Sequence, residues 1–270
     1  MFIKIIGVAL LVASAATSAL STTLKFMSDP DEVIPCSTFD SKTVKLITFD
    51  VFAALMDLDT SLTSSVTKIL PTWSSDQVKS LVSQWENAYG NLAGTVFDES
   101  ITGPQPFQWM LGTTLASILE SMSASVTDDE RVLLIEAWGI LTPWINTQEV
   151  LTQLYNANFT LGALSNGDHG TLTTAMKVFL PSVKFTYIFP SDFPTAGSFK
   201  PDAAMYHQIK TTTGINAAEM LHVAGASVDG WGARNAGLFS ALLGRIPYPQ
   251  QPLPCFMLKD ITELPAVLGL

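Results

Sequence analysis

Asp50, the pair Ser165-Asn166, Lys200 and Asp229 are the residues of this 270-residue sequence whose types could together do chemistry. Asp50 ends the apolar run Lys45-Leu46-Ile47-Thr48-Phe49, and Ser165 ends Thr160-Leu161-Gly162-Ala163-Leu164. Asp229 lies shortly beyond the run Met220 to Ala224, and Lys200 sits in the loop Phe199-Lys200-Pro201-Asp202. A carboxylate at a strand end can act as a covalent nucleophile when a cation keeps it ionised and aimed. Lys200 is the cation suited to that task. Ser165 and Asn166 offer donors to a substrate carboxylate or oxyanion. Asp229 can activate the water that resolves an ester. Taken alone, Asp50 reads more simply as the cap of the turn that follows it. Polar groups recurring just past several strands argue against that simpler reading.

The elements needed to bring these groups together can be read from the pattern. Short β-branched or apolar runs are expected at 45–49, 160–164, 187–189, 220–224 and 240–243, separated by helices near 150–157, 172–179 and 203–211 and by one opened by Asp229. Strands alternating with helices predict an α/β fold, a doubly wound, mostly parallel, Rossmann-like sheet. In such a sheet the carboxyl ends of the strands converge on one crevice. Between the first strand and the rest, residues 57–148 read as helical, with helices at 75–85, 107–122 and 128–141, the last capped by Thr127. The expected organisation is therefore a core of 44–60 plus 149–270 and an inserted helical cap of 61–148.

Composition supports a globular chain with ample core: 47% of residues are hydrophobic and 14% charged. A net charge of −10 argues against nucleic acid or an anionic membrane as partner. Residues 1–20 read as a signal peptide, with Lys4, an apolar run from Ile5 to Val12 and small residues at Ala13-Ser14-Ala15 or Thr17-Ser18-Ala19. The expected location is therefore secreted or extracytoplasmic. Cys36 and Cys255 are the only cysteines. In an oxidising compartment they form a candidate disulfide, with two free thiols as the open alternative. Asn158-Phe159-Thr160 is a candidate glycosylation sequon.

The residues Phe49-Asp50-Val51-Phe52, Leu164-Ser165-Asn166-Gly167, Phe199-Lys200-Pro201-Asp202 followed by Tyr206, and Asp229 within Asp-Gly-Trp-Gly-Ala-Arg-Asn-Ala-Gly resemble, in order and spacing, the motifs of the haloacid dehalogenase superfamily. The resemblance runs from about Val44 to Leu264 and points to the 2-haloacid dehalogenase-like branch. Phosphatases of the superfamily carry a second Asp two residues after the nucleophile, where this sequence has Phe52. That Asp is an acid/base and an oxygen ligand for Mg²⁺, so its replacement removes support for a metal-assisted phosphatase. The resemblance implies a metal-independent hydrolase without cofactor, similar to (S)-2-haloacid dehalogenases. Its Asp50 would displace halide from a small organic acid, with Lys200 and Asp229 as the other catalytic residues. Ser165, Asn166, Tyr206 and Phe52 would contact substrate.

The sequence also departs from that pattern. Ala54 stands where active relatives carry a Thr, Ala224-Gly225-Ala226 where they carry Ser-Ser-Asn, and Trp85-Glu86 near where they carry a halide-binding arginine. These losses leave a non-catalytic or altered-function protein on the same fold as the alternative. The expected partner is a small organic acid, with no nucleic acid and no membrane once the signal peptide is removed; a second copy of the chain is left open. His169, His207 and His222 show no metal spacing and read as core or surface residues, and Trp109, Trp138 and Trp144 as packing. Phe52 and Trp85 are the aromatic residues expected nearest the crevice.

Overall fold

The computed structural model describes residues 33–93, 106–192 and 195–270. The expected signal peptide lies outside the described residues. The core is a six-stranded sheet built from β1 (Leu46–Phe49), β4 (Thr160–Leu164), β5 (Tyr187–Phe189), β6 (Met220–Ala224), β7 (Phe239–Leu243) and β8 (Phe256–Leu258). Its order is β5-β4-β1-β6-β7-β8, and every neighbouring pair is parallel. Strand order reverses beside β1, so the first strand lies at the centre and its carboxyl end faces the crevice. All four β1 residues are buried, as a strand covered on both faces requires.

Helices α5 (Thr147–Asn156), α6 (His169–Met176), α7 (Ala203–Thr213), α8 (Ser227–Asn235) and the short α9 (Leu264–Val267) belong to the layers around this sheet. The doubly wound α/β architecture expected from the sequence is the one observed. Two short strands join it to the inserted helices: β2 (Met56–Asp57) pairs antiparallel with β3 (Thr142–Pro143). Between them run α1 (Leu58–Ile69), α2 (Ser75–Ala93), α3 (Pro106–Ser121) and α4 (Asp128–Glu136). Among the described residues of 61–148 the elements are helices apart from β3, which is too short to leave an alternating pattern. Thr127 caps α4 through a full capping box with Glu130. That helix stops at Glu136 rather than reaching residue 141, because a tight turn at Ala137–Gly139 drives Trp138 into the interior.

Cys36 and Cys255 form a disulfide with Cα atoms 5.3 Å apart, linking the arm before β1 to the start of β8. Phe39 on that arm meets Phe239 and Phe256 edge-on, at 5.1 and 4.8 Å between ring centroids. Asn158 is exposed on the turn between α5 and β4 at φ 67°, a left-handed conformation that Asn tolerates. No described helix is long and apolar enough to cross a membrane.

Candidate active site

The chain after β1 turns at once, through one wide helical turn at Val51–Leu55, and Asp50 caps it by accepting the Ala53 N–H on Oδ2 at 3.0 Å. The capping expected of an isolated Asp is therefore present, and it accounts for only one oxygen. Oδ1 accepts the Ser165 hydroxyl at 3.1 Å and the Lys200 ammonium at 3.1 Å. Asp50 is itself buried, so its charge rests on these donors rather than on water. Ser165 follows β4, and Asn166 beside it accepts the Lys200 backbone N–H on Oδ1 at 2.7 Å, which fixes the lysine loop to the end of β4.

Lys200 also donates to Asp229 Oδ2 at 2.8 Å, so one buried ammonium bridges two buried carboxylates. Asp229, in the first turn of α8, has further donors. Tyr206 donates to Oδ1 at 2.8 Å, and His222 Nε2 lies 3.1 Å from Oδ1 and 3.0 Å from Oδ2. Burial pushes the Asp229 carboxyl up, but the His222 and Lys200 charges and hydrogen bonds outweigh that and hold it well below the ordinary carboxylate range. Three donors thus hold the Asp229 carboxylate, the single His222 Nε2–H being shared between its two oxygens. Tyr206, expected against substrate, has its hydroxyl hydrogen committed to Asp229.

His222 is the site neighbour that sequence reasoning misses. It is fully buried in β6, and its Nδ1 lies 3.0 Å from Thr48 Oγ1. Thr48 and His222 are register partners on β1 and β6, and Ser240 on β7 is the next partner in the row. The available signal was two polar residues, each at the centre of a run that otherwise reads as a buried apolar strand.

One of the sequence departures, Gly225, has a packing reason. A Cβ on Gly225 would lie 2.2 Å from the Ala53 carbonyl carbon and 2.3 Å from the Ala54 nitrogen. The loop after β6 thus lies backbone to backbone on the turn after Asp50, and Ala54 is buried beneath it. Gly232 does the same for α8: a Cβ there would meet the Tyr206 hydroxyl at 2.6 Å and Pro201 Cβ at 2.7 Å. Its absence lets α8 bring Asp229 within reach of Tyr206 and Lys200.

The inserted helices cover this site with aromatic rings. Phe52 stacks on Phe107 at 5.5 Å and meets Trp138 and Tyr89 edge-on at 5.9 and 6.3 Å. Tyr89 was not singled out from sequence, yet its phenol hydrogen-bonds the Asn166 side chain; burial, then the Asp50 charge, push that phenol upward. Trp85, one helical turn earlier, faces the interior of the helical block instead, where its indole N–H reaches Leu111 O at 3.1 Å and Thr114 Oγ1 at 3.0 Å. Of the tryptophans read as packing, Trp138 is buried, whereas Trp109 and Trp144 are nearly half exposed. Glu86 is half-buried, with Oε1 lacking a hydrogen-bond partner among the described residues. Burial, with Asp59 and then Asp57 adding like charge, pushes its carboxyl up to about 7.

The haloacid dehalogenase-like hydrolase family model matches residues 101–243, a span that holds Ser165, Asn166, Lys200 and Asp229 but begins after Asp50. Among solved structures, the L-2-haloacid dehalogenase of Xanthobacter autotrophicus with chloropropionic acid covalently bound superposes with a TM-score of 0.70 at 18% identity, covering 84% of this chain and 98% of that one. The defluorinating L-2-haloacid dehalogenase Rha0230 gives 0.71 at 21% identity, over 84% of this chain and 96% of its own. The L-2-haloacid dehalogenase RSc1362 gives 0.70 at 20% identity, over 84% and 99%. At these identities the likeness is one of fold. No curated protein matches the chain by sequence.

Proposed function

The chain belongs to the haloacid dehalogenase-like hydrolase family, and from that premise we propose that it is a secreted, metal-independent hydrolase acting on a small 2-haloacid or related organic acid through an ester on Asp50. The observation that carries this reading is the asymmetry of the Asp50 carboxylate. Oδ1 takes Lys200 and Ser165, whereas Oδ2, among the described residues, takes only the Ala53 N–H. Oδ2 is the oxygen with an electron pair left to form a bond.

In the first step Asp50 Oδ2 attacks the α-carbon, and the carbon–halogen bond breaks with its electron pair leaving on the halide. A halide is stable as an anion and needs no proton, which suits a site with Phe52 where an acid would stand. In the second step water adds to the Asp50 ester carbonyl. The C–O bond to Asp50 then breaks to give a 2-hydroxy acid, a proton and the carboxylate. Lys200 steadies charge on the Asp50 oxygens in both steps, and Asp229 anchors Lys200. The aromatic layer over Phe52 excludes water from the first step. Export is supported by the Cys36–Cys255 bridge, a linkage typical of oxidising compartments.

The test is incubation with 2-chloropropionate followed by intact-protein and peptide mass spectrometry, beside a generic phosphate ester with and without Mg²⁺. An ester adduct on Asp50 with stoichiometric halide release supports the reading. Phosphate release dependent on Mg²⁺ overturns it. No adduct and no turnover on either substrate would favour a non-catalytic protein on this fold, the reading to which the three donors committed to Asp229 also lend weight.

A further inference from the structure

The network around Asp229 contains a buried imidazole that the proposed reaction does not use. His222 has no exposed surface and touches neither Asp50 nor the aromatic layer through any hydrogen bond, yet its Nε2 spans both Asp229 oxygens. Since a carboxylate only accepts here, Nε2 carries a hydrogen. Thr48 Oγ1, 3.0 Å from Nδ1, fixes the ring from the other side. Thr48 cannot wander, because it is the register partner of His222 in the two central strands.

The distances around Lys200 say what this is for. Its ammonium lies 2.8 Å from Asp229 and 3.1 Å from Asp50, so the two carboxylates share one buried cation. A carboxylate free to turn would present both oxygens to the ammonium and draw it further from Asp50. Tyr206 donates to Oδ1, and the single His222 Nε2–H, shared between the two oxygens, holds the carboxylate against turning.

We propose that His222, seated by Thr48, is a positioning residue that limits Asp229 to a single contact with Lys200 and so keeps the ammonium on Asp50. The reading of Asp50 as nucleophile underlies its functional consequence, but the geometric claim stands apart from it. His222 takes the place of polar support that the loop Ala224-Gly225-Ala226 lacks, because Gly225 packs too closely on Ala53 for any side chain.

The test compares His222→Phe, which removes the donor, with His222→Gln, whose amide nitrogen can replace Nε2. Crystal structures of the intact protein read the geometry. In His222→Phe the Lys200 ammonium should approach both Asp229 oxygens and move beyond 4 Å from Asp50, and in His222→Gln it should stay between the two. With 2-chloropropionate, kcat should fall about 10²-fold in His222→Phe, the scale of a misplacement of about 1 Å. KM should hardly change, and His222→Gln should recover most of the rate. Lys200 unmoved in both variants overturns the proposal whether or not the wild type turns over a haloacid. A wild type without haloacid turnover, whose Lys200 nevertheless shifts in His222→Phe, overturns the reading of function and leaves the positioning role standing. Should His222→Phe not fold, Thr48→Val replaces it. That variant unseats the ring without removing it, and an unshifted Lys200 there counts against the proposal.

Discussion

The polar cluster at the strand ends and the aromatic layer beneath the inserted helices meet at Phe52, two residues from Asp50, and different forces hold them in place. In the cluster, Asp50, Ser165, Lys200, Tyr206, His222 and Asp229 are fixed by hydrogen bonds whose partners are named atom by atom. In the layer, Phe52, Phe107, Tyr89 and Trp138 are fixed by ring packing that specifies shape but leaves no charge in place. The charged residue of α2 nearest that layer in sequence, Glu86, has an oxygen with no donor among the described residues. A cation is held on one side and a hydrophobic wall on the other; in the proposed reaction the cluster prepares the nucleophile and the layer keeps it dry.

The largest expected effect breaks the cluster. Asp50→Asn should remove the mass-detectable ester and lower halide release by more than about 10³-fold, and Lys200→Ala should lower it by about 10²–10³-fold. Both are read by single-turnover halide assay on protein shown to be folded by circular dichroism. Breaking the layer should act on stability first. Phe107→Ala opens a hole against Phe52 and Trp138 and should cost about 3–5 kcal/mol in denaturant unfolding. A Phe107→Ala protein with unchanged stability would mean that the layer is not packed as described.

Acidity should sharpen the contrast, because the two regions respond to pH in opposite directions. The folded Asp229 carboxyl is depressed, so its contribution to stability is complete above its ordinary value and is lost as pH falls towards the folded value. Asp229→Asn should therefore flatten the acid limb below about pH 4. Glu86 is raised to about 7, so the fold prefers its acid form. Its contribution is complete below the ordinary value of 4.5 and is lost as pH rises through 7. Glu86→Gln should raise the melting temperature at pH 8 and leave it nearly unchanged at pH 4.5. A melting temperature equally raised at both would place the benefit in packing, not in charge.

The two regions also differ in how much of them can be read from the sequence. Strands β4 and β6 match their expected bounds, because a short apolar run between polar breaks leaves few alternatives. The convergence of Asp50, Ser165, Asn166, Lys200 and Asp229 then follows from the parallel topology. The layer is less legible. Tyr89 and Trp85 lie on the same helix a turn apart, and only the seating of α2 decides which one reaches Asn166. Strand β8 escapes detection because Phe256 and Met257 retain surface and the strand has three residues. His222 escapes for another reason: its partner Asp229 lies on a different element, and the sequence offers no motif in which the two belong together.

The Cys36–Cys255 bridge joins positions 219 residues apart in the chain, one before the first strand of the sheet and one beside its last edge. Every residue of the cluster, and all the inserted helices, lie between them. Residues 36–255 therefore form a closed covalent loop. A protease that cuts the loop once frees no fragment: the cut ends stay joined through sulfur, and the sheet keeps both flanks in register. In the proposed exported form, that turns a first cleavage from a loss into a scar.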